Sequence, residues 1–454
     1  MSSSQSSNFE ILTLQSNDQQ RTVDLRGGTI SVSYYEDIFS PSITAKIQVV
    51  NTGDSISPKD KTSPSETDGP RQSIYNGLPL RGGERLELKI LDKGENKSGI
   101  DFSSDVQKHL YVSSITDIIS TPQTESFTLN LSPKESFSNE MTRVQRKYAD
   151  PIHITVKQIL KNVIDTSNFK KGNIDDAQNK YSFIGNMKKP FTVLVSLAAK
   201  AIPTGGKNAT AGFVFYQTQD GFNFKSIDGL IKQKPKATYY YTEVNQTETD
   251  VNNDFKILNY YTERNQNLIQ KLRLGSYASQ RMFFNPLNFS FTSPEQGKFQ
   301  MSKYRSSLNN LGAKGELNLP NVSEGSNTSL GDVPTRILSG IVDIGTMEKD
   351  VSLKAAKKES EDPNGDPTKY QAQAIMRYNL LFTQSINMMI SCNTNLRAGD
   401  VIQCEFPKIS EGPDEMDTEQ SGLYMIKELC HHFETNKSYT SMKLIRDNFG
   451  INKK

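Results

Sequence analysis

At 454 residues the chain exceeds what one core usually organises, so two to four domains are expected. Its 53 basic and 51 acidic residues leave a formal net charge of +2, so there is no global basic field, which argues against a dedicated nucleic-acid binder but not against a surface that nucleic acid passes without sticking. Hydrophobic residues make up only 35 %, yet 22 Phe and 18 Tyr suffice to anchor real cores.

The amino-terminal MSSSQSSNFEILTL has neither a basic n-region nor an apolar h-region, so no secretory signal is expected. The longest apolar stretch, residues 191–202, is interrupted by Thr192, Ser196 and Lys200 and is too short to span a bilayer; no membrane insertion is expected. The odd set Cys392, Cys404 and Cys430 fits reduced thiols in a protein made in a cytoplasm.

In chain order, TISVSYYEDI and ITAKIQVV read as two strands with Pro41 between them, where a missing donor costs little. Residues 51–79, rich in Ser, Pro, Asp and Lys, read as a long, exposed, mobile loop. LRGGERLELKI (80–90) is a turn and strand. LYVSSITDIIS (110–120) and SFTLNLS (126–132) follow, the latter with Phe127, Leu129 and Leu131 on one face. Strands without intervening helices indicate an antiparallel barrel or sandwich.

After Pro133 the apolar period changes. Val156, Ile159, Leu160, Val163 and Ile164 recur at helical spacing, with Thr155 as the expected N-cap. A second helix opens at Pro190, carries Phe191, Leu194, Val195 and Ala198, and is expected to end before Pro203 and the Gly205–Gly206 pair. GFVFYQTQDGFNFKSI alternates on both sides of Asp220–Gly221, the signature of a hairpin with a type I′ turn. Residues 135–236 thus read as an α+β module. Residues 237–295 return to strand composition, including TYYYTEV and KLRLGSYASQRMFFNPLNFSF. Residues 293–335 and the charged 346–368, with Pro363 and Pro367, read as extended arms; RILSGIVDIG between them is a lone strand or a contact segment. A helix over 369–382 rests on Tyr370, Ala374, Tyr378 and Leu381, and strands are expected at 385–392, 401–406, 423–433 and 439–446.

LRAGDVIQCEF (396–406) repeats LRGGERLELKI. Leu80/Leu396, Arg81/Arg397 and Gly83/Gly399 coincide, an acid follows each glycine (Glu84, Asp400), and an apolar period of two comes next. The order continues: LY recurs at 110–111 and 423–424, and counting without gaps sets Leu129 and Leu131 opposite Met442 and Leu444. Residues 80–132 and 396–445 therefore read as copies of one domain. Gly83, Glu84, Gly399 and Asp400 are the structural turn residues, the glycines supplying a positive φ.

Local motifs for chemistry are weak. Cys430 and His432 share a strand face and Cys404 could neighbour them, but no C-x-x-C or H-x-x-x-H spacing exists, which favours apolar thiols and a surface histidine over a metal site. Ser196-x-x-Lys200 has the spacing of a nucleophile pair without its companion motifs and reads as helix surface. PTGGKNAT is not a phosphate loop. The acidic run at 248–254 lacks the calcium-loop pattern. No catalytic residue, cofactor or metal is expected.

The helix at 369–382, the apolar strand leading into NTNLRAGDVIQCEF and the closing GLYMIKELCHHFETNKSYTSMKLI together resemble the central baseplate hub protein of contractile-tailed, T-even-type phages. They are also similar to the hub portion of type VI secretion spike proteins. The two helices and hairpin of 135–236 fit the module such proteins place between barrels. The resemblance implies an α+β, mainly β fold of two tail-tube-like antiparallel β-barrels, an internal duplication, plus an α+β module and long inserted arms. It divides the chain into a first barrel (1–134), the module (135–236), a second barrel (237–295 and 380–454) and an inserted arm with a helix (296–379). It further implies a homotrimer whose barrels form a pseudo-sixfold ring, joining a sixfold tail tube to a threefold spike around a channel for DNA. The expected partners are further copies of itself, the tail tube protein, the central spike protein and other baseplate proteins; the expected location is the virion tail baseplate, assembled in the host cytoplasm. Spike-fused relatives continue into further domains, so with the chain ending at Lys454 the spike is expected as a separate chain. Loop 51–79 and the 293–368 arm would touch neighbouring proteins or decorate the plan. The alternatives are a tail-associated cell-wall-degrading enzyme and an adhesin or carbohydrate-binding protein; the absence of Trp disfavours the latter.

Overall fold

Alternating apolar residues dominate both ends of the chain. In the computed structural model, which describes residues 8–53, 72–91, 99–204, 210–241, 253–313, 319–347, 350–361, 370–408 and 416–451, they build one 14-stranded sheet. The first half contributes β1 (Asn8–Gln15), β2 (Thr22–Asp24), β3 (Thr29–Asp37), β4 (Thr44–Thr52), a short helix α1 (Ile74–Gly77), β5 (Arg85–Leu91), β6 (Ile100–Asp101), β7 (Leu110–Ser120) and β8 (Thr124–Pro133). The period of two sends Phe127, Leu129 and Leu131 of β8, Ile47 and Val49 of β4, and Leu86, Leu88 and Ile90 of β5 into one core. Each such side chain contributes about 1.5–3 kcal/mol by leaving water. Most of the 51–79 loop lies outside the described residues; its end carries α1.

The middle of the chain folds as α2 (Lys134–Met141), β9 (Lys147–Tyr148), α3 (Ile152–Ile159), β10 (Phe183–Ile184), α4 (Pro190–Ala198), β11 (Phe213–Thr218), β12 (Gly221–Ser226) and α5 (Ile227–Ile231). Thr155 is not a cap. The chain enters α3 from Pro151, and Thr155 is buried within the helix. The helix then widens into a π turn, Leu160–Ile164, that ends on Asp165 at φ 62°. α4 has Pro190 at its first turn, where a missing N–H is harmless, and it stops at Ala198, ahead of Pro203; Gly205 and Gly206 lie outside the described residues. The β11–β12 hairpin forms, but its two-residue loop is Gln219–Asp220 because Thr218 pairs with Gly221. Neither loop residue has a positive φ, so the turn is not type I′. Gly221 itself has φ 111°, and a Cβ there would sit 2.4 Å from the Asn168 carbonyl oxygen. Phe213 stacks on Phe224 at 4.8 Å between ring centroids, and this aromatic hairpin packs against α3 and α4.

The remaining elements are β13 (Thr238–Tyr240), β14 (Ile257–Asn265), α6 (Leu268–Arg273), β15 (Ala278–Asn285), β16 (Ser290–Phe291), β17 (Lys298–Gln300), β18 (Arg336–Ile341), α7 (Leu353–Ser360), α8 (Tyr370–Leu380), β19 (Gln384–Ser391), β20 (Val401–Glu405), β21 (Gly422–Glu434) and β22 (Ser438–Arg446). Residues 271–273 are helical rather than extended, because the Asn267 side chain caps α6 by accepting from Gln270 N–H at 3.0 Å. β15 and β16 do not join the large sheet. With β17, and with β18 in parallel, they make a separate four-stranded sheet, which gives RILSGIVDIG a partner strand. The Pro363–Pro367 stretch lies outside the described residues.

The large sheet contains one arrangement twice. The ladder β3-β4-β8-β7-β5-β1 is matched by β14-β19-β22-β21-β20-β13, with the strands in the same chain order. Registers agree too. Val49 pairs with Thr29 and Phe127 as Ile390 pairs with Ile257 and Thr440, and a bulge follows Thr29 and Ile257 alike. The copies differ where β1 runs antiparallel to β5 but β13 runs parallel to β20. Each copy curls around a core made mostly of its own residues, with Cys392 and Phe433 of the second packing into the first. Among the described residues no ladder joins β3 to β1 or β2, so the first curl stays open in hydrogen bonding.

Candidate functional site

The sequence repeat centres on two turns, and their backbone geometry is the same. Gly83 N–H donates to Val112 O at 2.7 Å, and Val112 N–H returns to Glu84 O at 2.9 Å. Gly399 N–H donates to Ile426 O at 2.8 Å, and Ile426 N–H returns to Asp400 O at 2.9 Å. Both glycines hold a positive φ, 93° and 91°. The acid after each glycine closes the turn by accepting the N–H of the arginine three residues earlier: Arg81 to Glu84 Oε1 at 2.7 Å, Arg397 to Asp400 Oδ2 at 2.9 Å. A short polar side chain folding back on its own turn is the ordinary use of an acid there.

These bonds correct one part of the repeat. Val112 answers Ile426, and Leu86 pairs with Leu110 as Ile402 pairs with Tyr424. The two LY dipeptides are therefore one residue out of register. Leu129 with Met442 and Leu131 with Leu444 do correspond, since Val112 faces Leu131 as Ile426 faces Leu444. The residue is recovered in the first hairpin, where the ladder slips between Thr116 and Ile119.

Each copy also has a bulge that the sequence did not disclose, between Val112 and Ser114 in β7 and between Ile426 and Glu428 in β21. Before its bulge, β21 pairs with β20. Beyond it, from Glu428 to Glu434, β21 pairs antiparallel with β3 of the other copy. The bulge bends the strand out of one curl and into the next. Across this seam Val32 pairs with Phe433 and Tyr34 with His431, the latter two rings lying 5° from parallel. Ser33 Oγ meets His432 Nδ1 at 2.7 Å, and Lys427 pairs with Asp37 at 3.1 Å.

The second turn carries a charged network that the first lacks. The buried Glu36 carboxylate accepts from Tyr34 Oη at 2.7 Å, Ala398 N–H at 2.8 Å and Gln219 N–H at 2.8 Å. One side chain thereby ties β3, the β11–β12 hairpin and the Gly399 turn together. Burial pushes its pKa up, and the charge of Arg397 opposes the rise. Arg397 in turn reaches Asp220 at 3.1 Å. A cavity of about 480 Å³ beneath the turn is lined by Lys170, Asp175, Asp220, Lys225, Arg397 and Asp400. Lys170 pairs with Asp220 and Lys225 with Asp175, so charges of both signs meet each other rather than converging on a substrate position. Arg81 and Arg397 share the repeat, but only the second is drawn inward; Glu36 lies in a strand with no motif to mark it.

The chemical candidates are dispersed. Ser196 donates to Val193 O, while Lys200 turns to Tyr181 and to Asp343 at 3.5 Å. Cys404 is fully buried, and His432 engages Ser33 and Glu434. Among the described residues no three His, Cys, Asp or Glu side chains gather as metal ligands. Among the described residues no helix is long and apolar enough to cross a membrane.

His431 carries a testable pH dependence. Burial pushes its pKa down to about 3, helped by the nearby Arg397 charge, while Nδ1 meets Thr440 Oγ1 at 2.9 Å. A depressed folded pKa means that the unfolded chain takes the proton first. Stability is thus intact above about pH 6.5 and drains as pH falls towards 3, at about 1.4 kcal/mol per unit. Replacing His431 by Phe loses the Thr440 bond, about 1 kcal/mol near pH 8. Between pH 8 and pH 5, however, the variant should lose about 2 kcal/mol less than the parent in urea unfolding. An equal loss in both chains would remove His431 as the acid-sensitive group.

No family model matches the chain, and no curated protein matches it. Several solved structures align with it along most of its length. A tail protein from Neisseria meningitidis aligns over 97 % of this chain and 97 % of its own at 9 % identity and a TM-score of 0.47. A 43 kDa prophage tail protein from Shewanella oneidensis covers 98 % of this chain and 100 % of its own at 9 % identity and a TM-score of 0.48. An Escherichia coli component of the type VI secretion system, itself similar in structure to T4 bacteriophage tail proteins, covers 97 % and 79 % at 10 % identity and a TM-score of 0.39.

Proposed function

We propose that the chain is a structural hub of the baseplate in a contractile injection machine, present as a homotrimer. The observation that carries this reading is the duplication: two copies with one strand order, one turn geometry and one bulge, merged edge to edge into a single sheet. A threefold protein that presents each unit twice offers six similar units to a sixfold tube and three to a threefold spike. In this reading residues 1–134 form the first unit and residues 237–295 with 380–454 the second, although β15 and β16 leave the large sheet for a separate one. The 135–236 module braces their junction through Glu36 and Gln219, and the remaining arm is an insertion. Gly83, Glu84, Gly399 and Asp400 are structural, holding the two units alike. The partners are the tail tube protein, the central spike protein and other baseplate proteins, with DNA in transit; the setting is the virion tail baseplate, assembled in the host cytoplasm. The resemblance in the sequence supports the same reading.

The direct test is the mass of the purified chain in solution, with particle images in the presence of tube protein. Three chains in a ring capping the tube are expected. A monomer that cleaves cell-wall material would sink the proposal.

A further inference from the structure

Within one chain the seam uses two edges, β3 of the first copy and the far half of β21 of the second. The duplication supplies each edge again. The counterpart of β3 is β14, which among the described residues ends the sheet with β19 as its one ladder partner. The counterpart of β21 is β7, which parts from β5 after Tyr111, passes its own bulge, and keeps only β8 beside it from Ser114 to Ser120. Among the described residues no second strand pairs with either edge, which leaves a template for pairing. Both also expose apolar side chains that the internal seam does not. Ile119 is 63 % exposed and Ile118 44 %, on β7; Tyr261 is 61 % exposed, on β14.

From this we infer that β14 of one chain docks antiparallel on the far half of β7 of a second copy, in the register of the internal seam. The occupant is a second copy because the chain already contains the same junction, built from equivalent strands. The register transfers at Ile119 and Tyr261, although β7 slips between Thr116 and Ile119 and β14 between Thr262 and Arg264, where the β21–β3 seam is unbroken. His432 faces Ser33 inside the chain. Ile119 stands where His432 stands, since Ile119 pairs with Ser126 as His432 pairs with Tyr439. Tyr261 stands where Ser33 stands, since Ser33 pairs with Lys46 as Tyr261 pairs with Asn387. Ile119 of one chain thus meets Tyr261 of the next, an aromatic on a β-branched residue. Each chain gives one edge and receives on the other, so the contact is head to tail and closes only as a ring. This rests on the hub reading and adds the surfaces by which it assembles.

The test is cross-linking between full-length chains. Ile119→Cys mixed with Tyr261→Cys under mild oxidation should give a two-chain covalent product that neither variant forms alone. One chain carrying both substitutions should give covalent closed rings. Ile119→Asp and Tyr261→Asp should each lower the assembled fraction at least tenfold while leaving the urea midpoint unchanged, because both side chains are exposed in the single chain. If rings of three form but no cross-link appears, this docking is wrong and the hub reading stands. If the parent chain stays monomeric with its tube protein present, both fall.

Discussion

Gly399→Val should destabilise the chain by about 3–5 kcal/mol in urea unfolding, against about 1–2 kcal/mol for Gly83→Val. The backbone term is shared, because both positions hold φ near 90° and a β-branched residue is strained there. The surroundings differ. A Cβ on Gly399 would lie 2.5 Å from Tyr216 Oη and 3.2 Å from its Cζ, in the core under the module. A Cβ on Gly83 would lie 3.2 Å from Asn17 Oδ1, a side chain that can swing aside. The Gly399 turn also positions the Ala398 N–H on Glu36, so moving it leaves that buried carboxylate short of a donor. Ring assembly should suffer more than stability alone would suggest, since the seam and the turn share Glu36. Gly399→Ala brings the same Cβ against Tyr216 without the branching of valine and should fall between. If Gly399→Val and Gly83→Val cost the same, the contact with Tyr216 is not what makes the second turn stringent.

Arg377→Met should cost about 3–5 kcal/mol, the scale for stripping a partner from buried ions. Arg377 is fully buried on α8. It reaches Asp228 of α5 at 2.6 Å, Asp447 just past β22 at 3.3 Å, and the Asn309 carbonyl at 2.8 Å. Three parts of the chain therefore meet on one guanidinium: the module, the insertion and the second copy. Burial pushes the Asp447 carboxyl up and Arg377 draws it back, so removing the arginine leaves an acid that gains by taking a proton. The variant's deficit should shrink as pH is lowered from 8 to 5. Adding Asp228→Asn and Asp447→Asn to Arg377→Met should recover most of the loss. An Arg377→Met chain within about 1 kcal/mol of the parent at pH 8 would show that water, not the arginine, satisfies these acids.

Much of the fold was legible because strand formation here follows local alternation. Phe127, Leu129 and Leu131 report a buried face by spacing alone, and Gly83 and Gly399 report a turn by their position ahead of a strand. The duplication was visible in the same residues. Its register was not, because LY recurs by coincidence one place out, and only the ladder with Val112 and Ile426 fixes the pairing. The bulges at Ser113 and Lys427 leave no mark, since the unpaired residue can be of any type and its effect is on strand direction. α6 was hidden for another reason: Lys271–Arg273 are neutral in pattern, and the cap at Asn267 decides. Glu36 and Arg377 were invisible because charged residues are expected outside, and only tertiary contact brings their partners to them.

The seam between the copies also sets a timetable. Ser33 and His432, bonded across it, are 399 positions apart. At usual synthesis rates the strand that covers β3 emerges on the order of 20–80 s after β3 itself. Through that interval the first copy lacks Cys392 and Phe433, which the finished chain adds to its core, and carries an unmatched edge. A nascent or truncated product thus keeps an unpaired border that the finished chain covers within itself.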